Sequence, residues 1–293
     1  METNTGGEKE MISRPIQYLA PQSIGHALKL INKLEDAKII AGGQSLIPMM
    51  NLGLLTPQYL VDLKNVKGLQ FIDETSKTLK IGSMVRHHEI ATSAVVRKAL
   101  PMLAEAAGHI GDMHIRHRGT IGGSICHADP AGDYGAVLLA ADAILEVRNL
   151  RRRRFLRARE FFKDAFTTAL KPDEILIAIH IPKRAGWKSS YEKLEFVSGG
   201  FAVASAAVMV EIKNGGRLSH LVVGVGGVER RPAFFDLSET FADKRADASV
   251  GDKLASYVSG QIREPLSDIQ ADGEYRRAMA GILAKRAFMR CLD

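Results

Sequence analysis

Two pairs of adjacent glycines constrain the fold of this chain more than any other feature of its sequence. The first pair lies in IIAGGQSLIP (residues 39–48) and the second in GTIGGSICHADPAGD (residues 119–133). In both segments a serine follows the glycines within two residues, and an aliphatic residue follows the serine. Glycine allows a positive φ and places no Cβ in the way of an anion that approaches the main chain. The two segments are therefore either plain turns after strands or parts of a main-chain binding site.

A binding site of this kind would hold phosphate. Successive amides in a glycine bend point into one concavity, and a serine hydroxyl adds a donor, so no lysine is required. Two such bends would grip one dinucleotide from both sides. Other signatures are incomplete, since GVGGVE (residues 224–229) has only the first two glycines of the dinucleotide fingerprint and no Walker A sequence occurs. Neither Ser45 nor Ser124 lies in a Gly-x-Ser-x-Gly nucleophile elbow.

Metal binding and cysteine chemistry are disfavoured. Cys126, His127 and Asp129 suggest a metal site or a Cys-His pair, but no second group of ligands accompanies them. Asp129 followed by Pro130 predicts a turn instead. We therefore expect no metal ligands. The other clustered histidines are expected at the surface or in loops: His87, His88, His109, His114 and His117.

Hydrophobic periodicity predicts a mixture of strands and helices. The predicted strands are residues 38–41, 59–63, 78–83, 143–148, 174–182, 191–197, 201–212 and 218–227. The predicted helices are residues 23–34, 101–110, 134–140 and 274–292, the last with Ala278, Ile282, Phe288 and Met289 facing inward. An antiparallel run follows the mixed first half, so the fold class is predicted as α+β.

Composition and charge exclude several classes of protein. With 46% hydrophobic and 25% charged residues, the chain is neither disordered nor a coiled coil. The net charge is +7, but residues 148–159 contain seven arginines and no acid, so the rest of the chain is neutral and no extended basic face is expected. We place this arginine run on a surface loop. Two cysteines are too few for an iron–sulfur cluster, and neither a signal peptide nor a membrane span is evident, so we expect a cytoplasmic protein.

The glycine segments and their neighbours closely resemble a known family. Residues 41–48, residues 120–124 and the sequence HADP (127–130) are similar to the FAD-binding medium subunit of molybdenum hydroxylases, such as carbon monoxide dehydrogenase and xanthine dehydrogenase. The similarity extends from residue 14 to residue 290. It implies a two-part p-cresol methylhydroxylase/vanillyl-alcohol oxidase-type FAD-binding domain at residues 11–184, with subdomains at 11–65 and 66–184. A smaller C-terminal domain with an antiparallel sheet and helices would occupy residues 185–293.

The resemblance also implies a set of cofactor-binding residues. One side of the FAD pyrophosphate would be wrapped by Ile39, Ile40, Ala41, Gly42, Gly43, Gln44, Ser45 and Leu46, and the other by Thr120, Ile121, Gly122, Gly123 and Ser124. Asp133 would lie on the ribitol or ribose side, although a helix N-cap is an alternative role for it. Ile110 and Leu176 would contribute backbone or apolar contacts. Lys193 would lie close to the flavin, or else be an exposed strand residue.

By the same resemblance, the function is electron transfer. The chain would bind FAD non-covalently and accept electrons from iron–sulfur clusters of a small subunit, which originate at a molybdenum cofactor in a large subunit. It would pass them to an external acceptor, without catalytic residues of its own. The assembly would be a dimer of heterotrimers. Two alternatives remain, a stand-alone FAD-dependent oxidase of the same fold and a nucleic-acid-docking protein that uses the arginine run.

Overall fold

The computed structural model describes residues 15–293, so the expected frayed tail of about ten residues lies outside the described part. The strands are β1 (Gln17–Leu19), β2 (Ala37–Ile40), β3 (Tyr59–Asp62), β4 (Ile72–Glu74), β5 (Thr78–Gly82), β6 (Ile144–Arg148), β7 (Arg153–Arg157), β8 (Phe162–Asp164), β9 (Thr167–Thr168), β10 (Ile175–Pro182), β11 (Trp187–Glu195), β12 (Ala202–Lys213), β13 (Arg217–Gly226) and β14 (Ala233–Asp236). The helices are α1 (Ile24–Lys33), α2 (Leu46–Asn51), α3 (His87–Thr92), α4 (Ala94–Ala99), α5 (Pro101–His109), α6 (Met113–Arg116), α7 (Ile121–His127), α8 (Asp133–Ala140), α9 (Ala158–Phe161), α10 (Ala248–Gln261) and α11 (Gly273–Arg290). A 3₁₀ turn covers Leu63–Asn65.

The first region is a small parallel sheet. Its strand order is β1-β3-β2, and both pairings are parallel. Helix α1 begins at the N-cap Ser23 and buries Ala27 and Leu28 in a cluster with Val61 of β3. Parallel strands end at the same edge of their sheet, which is where ligands bind in open α/β sheets. The first glycine segment leaves β2 at this edge.

The second region is a five-stranded sheet in the order β4-β5-β10-β6-β7, with antiparallel pairing throughout. Its buried face carries Ile81, Leu145 and Ile179, which belong to one core cluster with residues of α5, α7 and α8. The same cluster includes Tyr191 and Met209 from the next sheet. The three helices therefore form a layer between two sheets, and this layer holds the second glycine segment.

The third region is a four-stranded antiparallel sheet in the order β11-β12-β13-β14. One face of β12 packs with α8, while Ala204, Ala206 and Val208 on the other face pack with α10 and α11. Burial on both faces explains why the sequence of β12 is almost continuously apolar. The close approach of α8 to β13 depends on a glycine, since a Cβ on Gly224 would overlap the carbonyl oxygen of Ala136.

The predicted inward face of the last helix is partly wrong. Ala278 and Ile282 of α11 are exposed, whereas Phe288 is buried as predicted. The inward stripe contains Arg276, Ala280, Leu283, Ala284, Ala287 and Phe288. It begins with an arginine because the buried Arg276 guanidinium donates to two backbone carbonyls, those of Val203 and Gly227. A charged residue at the start of the stripe hides its helical period in the sequence.

The prediction that the arginine run lies on a surface loop is also partly wrong. Residues 153–157 form β7, and the turn before it is closed by Asn149, whose amide donates to the Arg152 carbonyl and whose side chain accepts from the amides of Arg151 and Arg152. Arg154 points to the buried side of the sheet, where it pairs with Glu174 and donates to the Ala169 carbonyl. Long side chains with partners of this kind allow an arginine-rich segment to form a strand.

Candidate functional site

The first glycine segment is an open bend with unused amides. Gly43 has a φ of 75°, a value at which other residues are strained. The Gln44 side chain donates to the Gly42 carbonyl, and the Ile47 amide donates to the Gly43 carbonyl. Among residues 15–293, no acceptor is bonded to the successive amides of Gly42, Gly43, Gln44 and Ser45. Ser45 precedes α2 without a side-chain cap, so its hydroxyl is available as well.

The second glycine segment differs from the predicted turn, because residues 120–124 form the N-cap and the first turn of helix α7. Thr120 is the N-cap, and its hydroxyl oxygen accepts from the Gly123 amide at 3.1 Å. The amides of Ile121 and Gly122 donate to the carbonyls of Val85 and Ser83, and the Ser124 amide donates to the Thr120 carbonyl. These main-chain donors are therefore used within the protein and do not face a common concavity.

The two segments lie in direct contact. A Cβ on Gly42 would overlap the carbonyl oxygen of Arg118 and would lie 2.6 Å from the Cα of Gly119. On the other side of the contact, a Cβ on Gly123 would lie 3.6 Å from the Cβ of Ala41. The open amides of the first bend thus lie beside the start of α7. The two segments are therefore close enough to line one site.

The buried His87 packs against Gly119, at the start of the second glycine segment. Its amide donates to the Gly119 carbonyl, and its imidazole lies so close that a Cβ on Gly119 would be 2.6 Å from Nε2. The Nδ1 atom is 2.8 Å from the hydroxyl of Tyr134. Burial, with a smaller contribution from the Arg116 charge, lowers the pKa of His87 to about 4, so the ring is neutral at neutral pH. The prediction of a surface or loop position for His87 is wrong, because Tyr134 and Gly119 enclose it.

Asp133 and Lys193 form a buried ion pair between two regions. Asp133 is the first residue of α8, and Lys193 lies on β11 with only 1% of its side chain exposed. The lysine Nζ is 3.0 Å from one Asp133 carboxylate oxygen and 3.3 Å from a carboxylate oxygen of Glu195, and it donates to the His109 carbonyl. The Tyr191 hydroxyl donates to the same aspartate at 2.6 Å. Burial raises the pKa of Asp133, and the Lys193 charge acts in the opposite direction.

This arrangement excludes two alternative roles. Gly132, not Asp133, is the N-cap of α8, and no side chain caps that helix. Lys193 is not an exposed strand residue. A buried carboxylate held by a lysine and a tyrosine is instead a rigid feature beside the start of α8.

The two predicted apolar contacts differ in accessibility. Ile110 ends α5 and is half-buried against the main core. Leu176 of β10 is 3% exposed, and its side chain lies inside that core. The turn at Asp129 is confirmed, because its carboxylate accepts from the Ala131 amide. His127 Nε2 lies 4.0 Å from Asp129, and no group of three or more metal-ligating side chains occurs in the described part of the chain.

Comparison with known families identifies the class of protein. Residues 14–184 match the family model described as the FAD binding domain in molybdopterin dehydrogenase, and residues 189–291 match the CO dehydrogenase flavoprotein C-terminal domain. The protein is thus an oxidoreductase subunit with an FAD-binding domain and a C-terminal domain, consistent with α+β architecture. In particular, the chain belongs to the family of medium FAD subunits of molybdenum hydroxylases.

Individual relatives are similar over nearly the whole chain. The nicotine 6-hydroxylase medium subunit of Paenarthrobacter nicotinovorans is 38% identical over 283 residues, covering 94% of this chain and 96% of the relative. The carbon monoxide dehydrogenase medium chain of Hydrogenophaga pseudoflava is 36% identical over 287 residues, covering 94% and 97%. The structure of a carbon monoxide dehydrogenase from the same organism, which lacks the Mo-pyranopterin moiety of the molybdenum cofactor, superimposes with a TM-score of 0.90, at 34% identity and 95% and 98% coverage. No helix within residues 15–293 is long and apolar enough to cross a membrane.

Proposed function

We propose that this chain binds FAD non-covalently and transfers electrons from a partner's iron–sulfur clusters to an external acceptor. The observation that carries the proposal is the row of four successive amides, Gly42 to Ser45, which have no acceptor among residues 15–293 and lie against the start of α7. A pyrophosphate is the part of FAD that such donors fit. FAD, when bound, supplies the capacity to take up electrons singly and to release them in pairs.

The two glycine segments would play different parts in this site. We propose that residues 39–46 donate most of the hydrogen bonds to the pyrophosphate. Residues 120–124 would form the opposite wall, with glycines that let the phosphates approach and with the positive end of the α7 dipole directed at them. Ser45 and Ser124 would add hydroxyl donors. In this arrangement the second segment contributes shape and field more than individual amides.

Other predicted contacts fit the same proposal. Asp133 would accept from the ribitol or ribose hydroxyls, and Lys193 would place its charge near the flavin, where a cation favours the reduced, anionic form. Ile110 would give an apolar contact, whereas Leu176 would contribute through its backbone. We also propose the domain division at residues 184 and 185, with subdomains at 11–65 and 66–184, and a p-cresol methylhydroxylase-type fold for the first domain. The small parallel sheet followed by a larger antiparallel one is consistent with that division.

An exposed apolar loop near this site supports binding of partner subunits. The loop between β11 and β12 exposes Phe196, Val197 and Phe201, each by more than half. It contacts the turn that follows α5, since a Cβ on Gly199 would lie 2.7 Å from the Gly111 carbonyl oxygen. Exposed apolar groups of this size are typical of an interface. We propose that an iron–sulfur small subunit and a molybdenum large subunit assemble with this chain, as a dimer of heterotrimers. A cytoplasmic location fits the two free thiols among the described residues.

A stand-alone oxidase is the nearest alternative. The experiment that tests the proposal begins with purified protein, whose absorbance and cofactor content are measured before and after denaturation. We expect yellow protein that releases one FAD per chain, and colourless protein without affinity for added FAD would contradict FAD binding. The FAD-loaded chain alone should then oxidise no organic substrate with oxygen, and turnover without partners would favour the oxidase.

A further inference from the structure

The arginine strand β7 is an open edge of the five-stranded sheet. It is last in the strand order and pairs with β6 on one side. Within residues 15–293, no strand pairs with its other side. An open edge presents unpaired backbone groups to any extended chain that approaches it.

The hydrogen-bonding pattern between β6 and β7 shows which backbone groups of β7 are left unpaired. The Asn149 amide donates to the Arg152 carbonyl, and the Ala158 amide donates to the Ala143 carbonyl, so these two pairs are hydrogen-bonded. Hydrogen-bonded pairs alternate along an antiparallel ladder. The backbone groups of Arg153, Phe155 and Arg157 therefore point away from β6, toward the open edge.

The side chains of the same three residues share one sheet face. Arg153, Phe155 and Arg157 are exposed, and they alternate with the half-buried Arg154 and Leu156. Phe155 is 58% exposed. Arginines alone would protect an edge from unwanted pairing, but an exposed phenylalanine between them has the opposite effect. The combination is typical of a surface that is covered in a complex.

The positive charge of this edge is only partly neutralised. Arg153 lies 3.6 Å from Glu146, which also pairs with Lys80 and His180. Arg157 shares one carboxylate, Asp142, with Arg159. Within the described residues, no ion pair involves Arg148 at the end of β6 or Arg151 and Arg152 of the adjoining turn. Residues 148–159 contain seven arginines, and their summed charge equals the net charge of +7 of the whole protein. An acidic partner would therefore be attracted to this edge.

We propose that β7 adds an extended acidic segment of a partner protein as a further strand. The main chain of that segment would pair with Arg153, Phe155 and Arg157, and its carboxylates would face the arginine side chains on the same sheet face. In antiparallel addition, directly opposite residues exchange both hydrogen bonds and share a face. The residues of the segment that carry the carboxylates therefore also carry the amides that donate to β7.

This geometry can be tested with a synthetic peptide of alternating glutamate and valine bound to the full-length protein. One version is N-methylated at every glutamate and another at every valine, so that charge is constant while opposite backbone edges are blocked. We expect methylation at glutamate to weaken binding by about tenfold or more, and methylation at valine to have little effect. The reverse pattern would indicate parallel addition, which also supports strand pairing. Equal binding of all three peptides would overturn the proposal.

Protein variants provide a second measurement. Phe155→Pro removes an amide that faces the open edge and leaves the ladder to β6 intact, so it should weaken the unmodified peptide by about tenfold. Arg153→Glu should weaken it as well, whereas Arg286→Glu, a charge-matched change on the exposed face of α11, should not. Thermal unfolding verifies that each variant is folded, and the methylated peptides test the unmodified protein if Phe155→Pro does not fold. A DNA duplex serves as a further probe. If it binds the unmodified protein more tightly than the peptide does, and binds Phe155→Pro equally well, strand addition would be overturned in favour of general polyanion binding.

Discussion

The two glycine segments have nearly the same sequence pattern, but their backbones do different things. The amides of residues 42–45 have no acceptor in the described part of the chain, whereas those of residues 121–124 donate to Val85, Ser83 and the N-cap Thr120. The first segment thus leaves its amides available to a ligand, whereas the second starts a helix and packs against the first. A glycine pair signals close approach of the backbone, but it does not specify whether a ligand or another part of the protein approaches.

The largest effect on cofactor binding is expected for Gly42→Ala. The new methyl group would overlap the Arg118 carbonyl oxygen, so the two segments must separate and the open amides must move. We expect FAD affinity to fall by about 100-fold or more, equivalent to about 2.7 kcal/mol. Titration of cofactor-free protein with FAD, followed by flavin fluorescence, measures this loss.

Gly25→Ala is the matched control for this change. Gly25 lies in α1, and a Cβ there would meet no atom within 4 Å. Its FAD affinity should equal that of the unmodified protein. If Gly42→Ala bound FAD as tightly as Gly25→Ala, the contact between the two segments would have no part in cofactor binding.

A second change tests whether the glycines of α7 serve packing. A Cβ on Gly122 would lie 2.5 Å from the Ser83 carbonyl oxygen, which is fixed backbone. Gly122→Ala should therefore lower the free energy of unfolding of the FAD-free protein by about 2 kcal/mol, as overpacking in a core does. Urea unfolding provides the measurement, with Gly108→Ala in α5 as the control because a Cβ there meets nothing. If Gly122→Ala left the stability unchanged but lowered the FAD affinity as much as Gly42→Ala does, both segments would serve cofactor binding in the same way.

The sequence predicted the positions of both segments and most of the longer strands, because local periodicity and glycine patterns carry that information. It did not predict helix α7, since a glycine pair disfavours helix and the compensating acceptors, Ser83 and Val85, are distant in the chain. For the same reason it left the burial of Lys193 open. The partners of that lysine come from α8, β11 and the end of α5, and only the folded chain brings them together.

The support of the second segment should depend on pH. The pKa of His87 in the folded protein, about 4, is below its ordinary value of 6.5, so the unfolded chain takes up the proton first on acidification. Stability from this residue is therefore complete above pH 6.5 and is lost as the pH falls toward 4, by about 1.4 kcal/mol per pH unit. Urea unfolding of the unmodified protein and of His87→Gln between pH 7 and pH 4 measures the difference. Parallel curves for the two proteins would show that His87 titrates normally.

The smallest effect is expected for the helix cap itself. Thr120→Ala removes the acceptor of the Gly123 amide and should lower the free energy of unfolding by about 1 kcal/mol, whereas Thr120→Ser keeps the oxygen and should restore most of it. FAD affinity should change by less than about threefold, because the released amide is then free to donate to the phosphate. Calorimetric unfolding and FAD titration of both variants separate the two quantities. An affinity loss in Thr120→Ala as large as in Gly42→Ala would mean that the threonine hydroxyl binds the cofactor directly. The two segments would then both donate to the cofactor, and the difference proposed between them would be wrong.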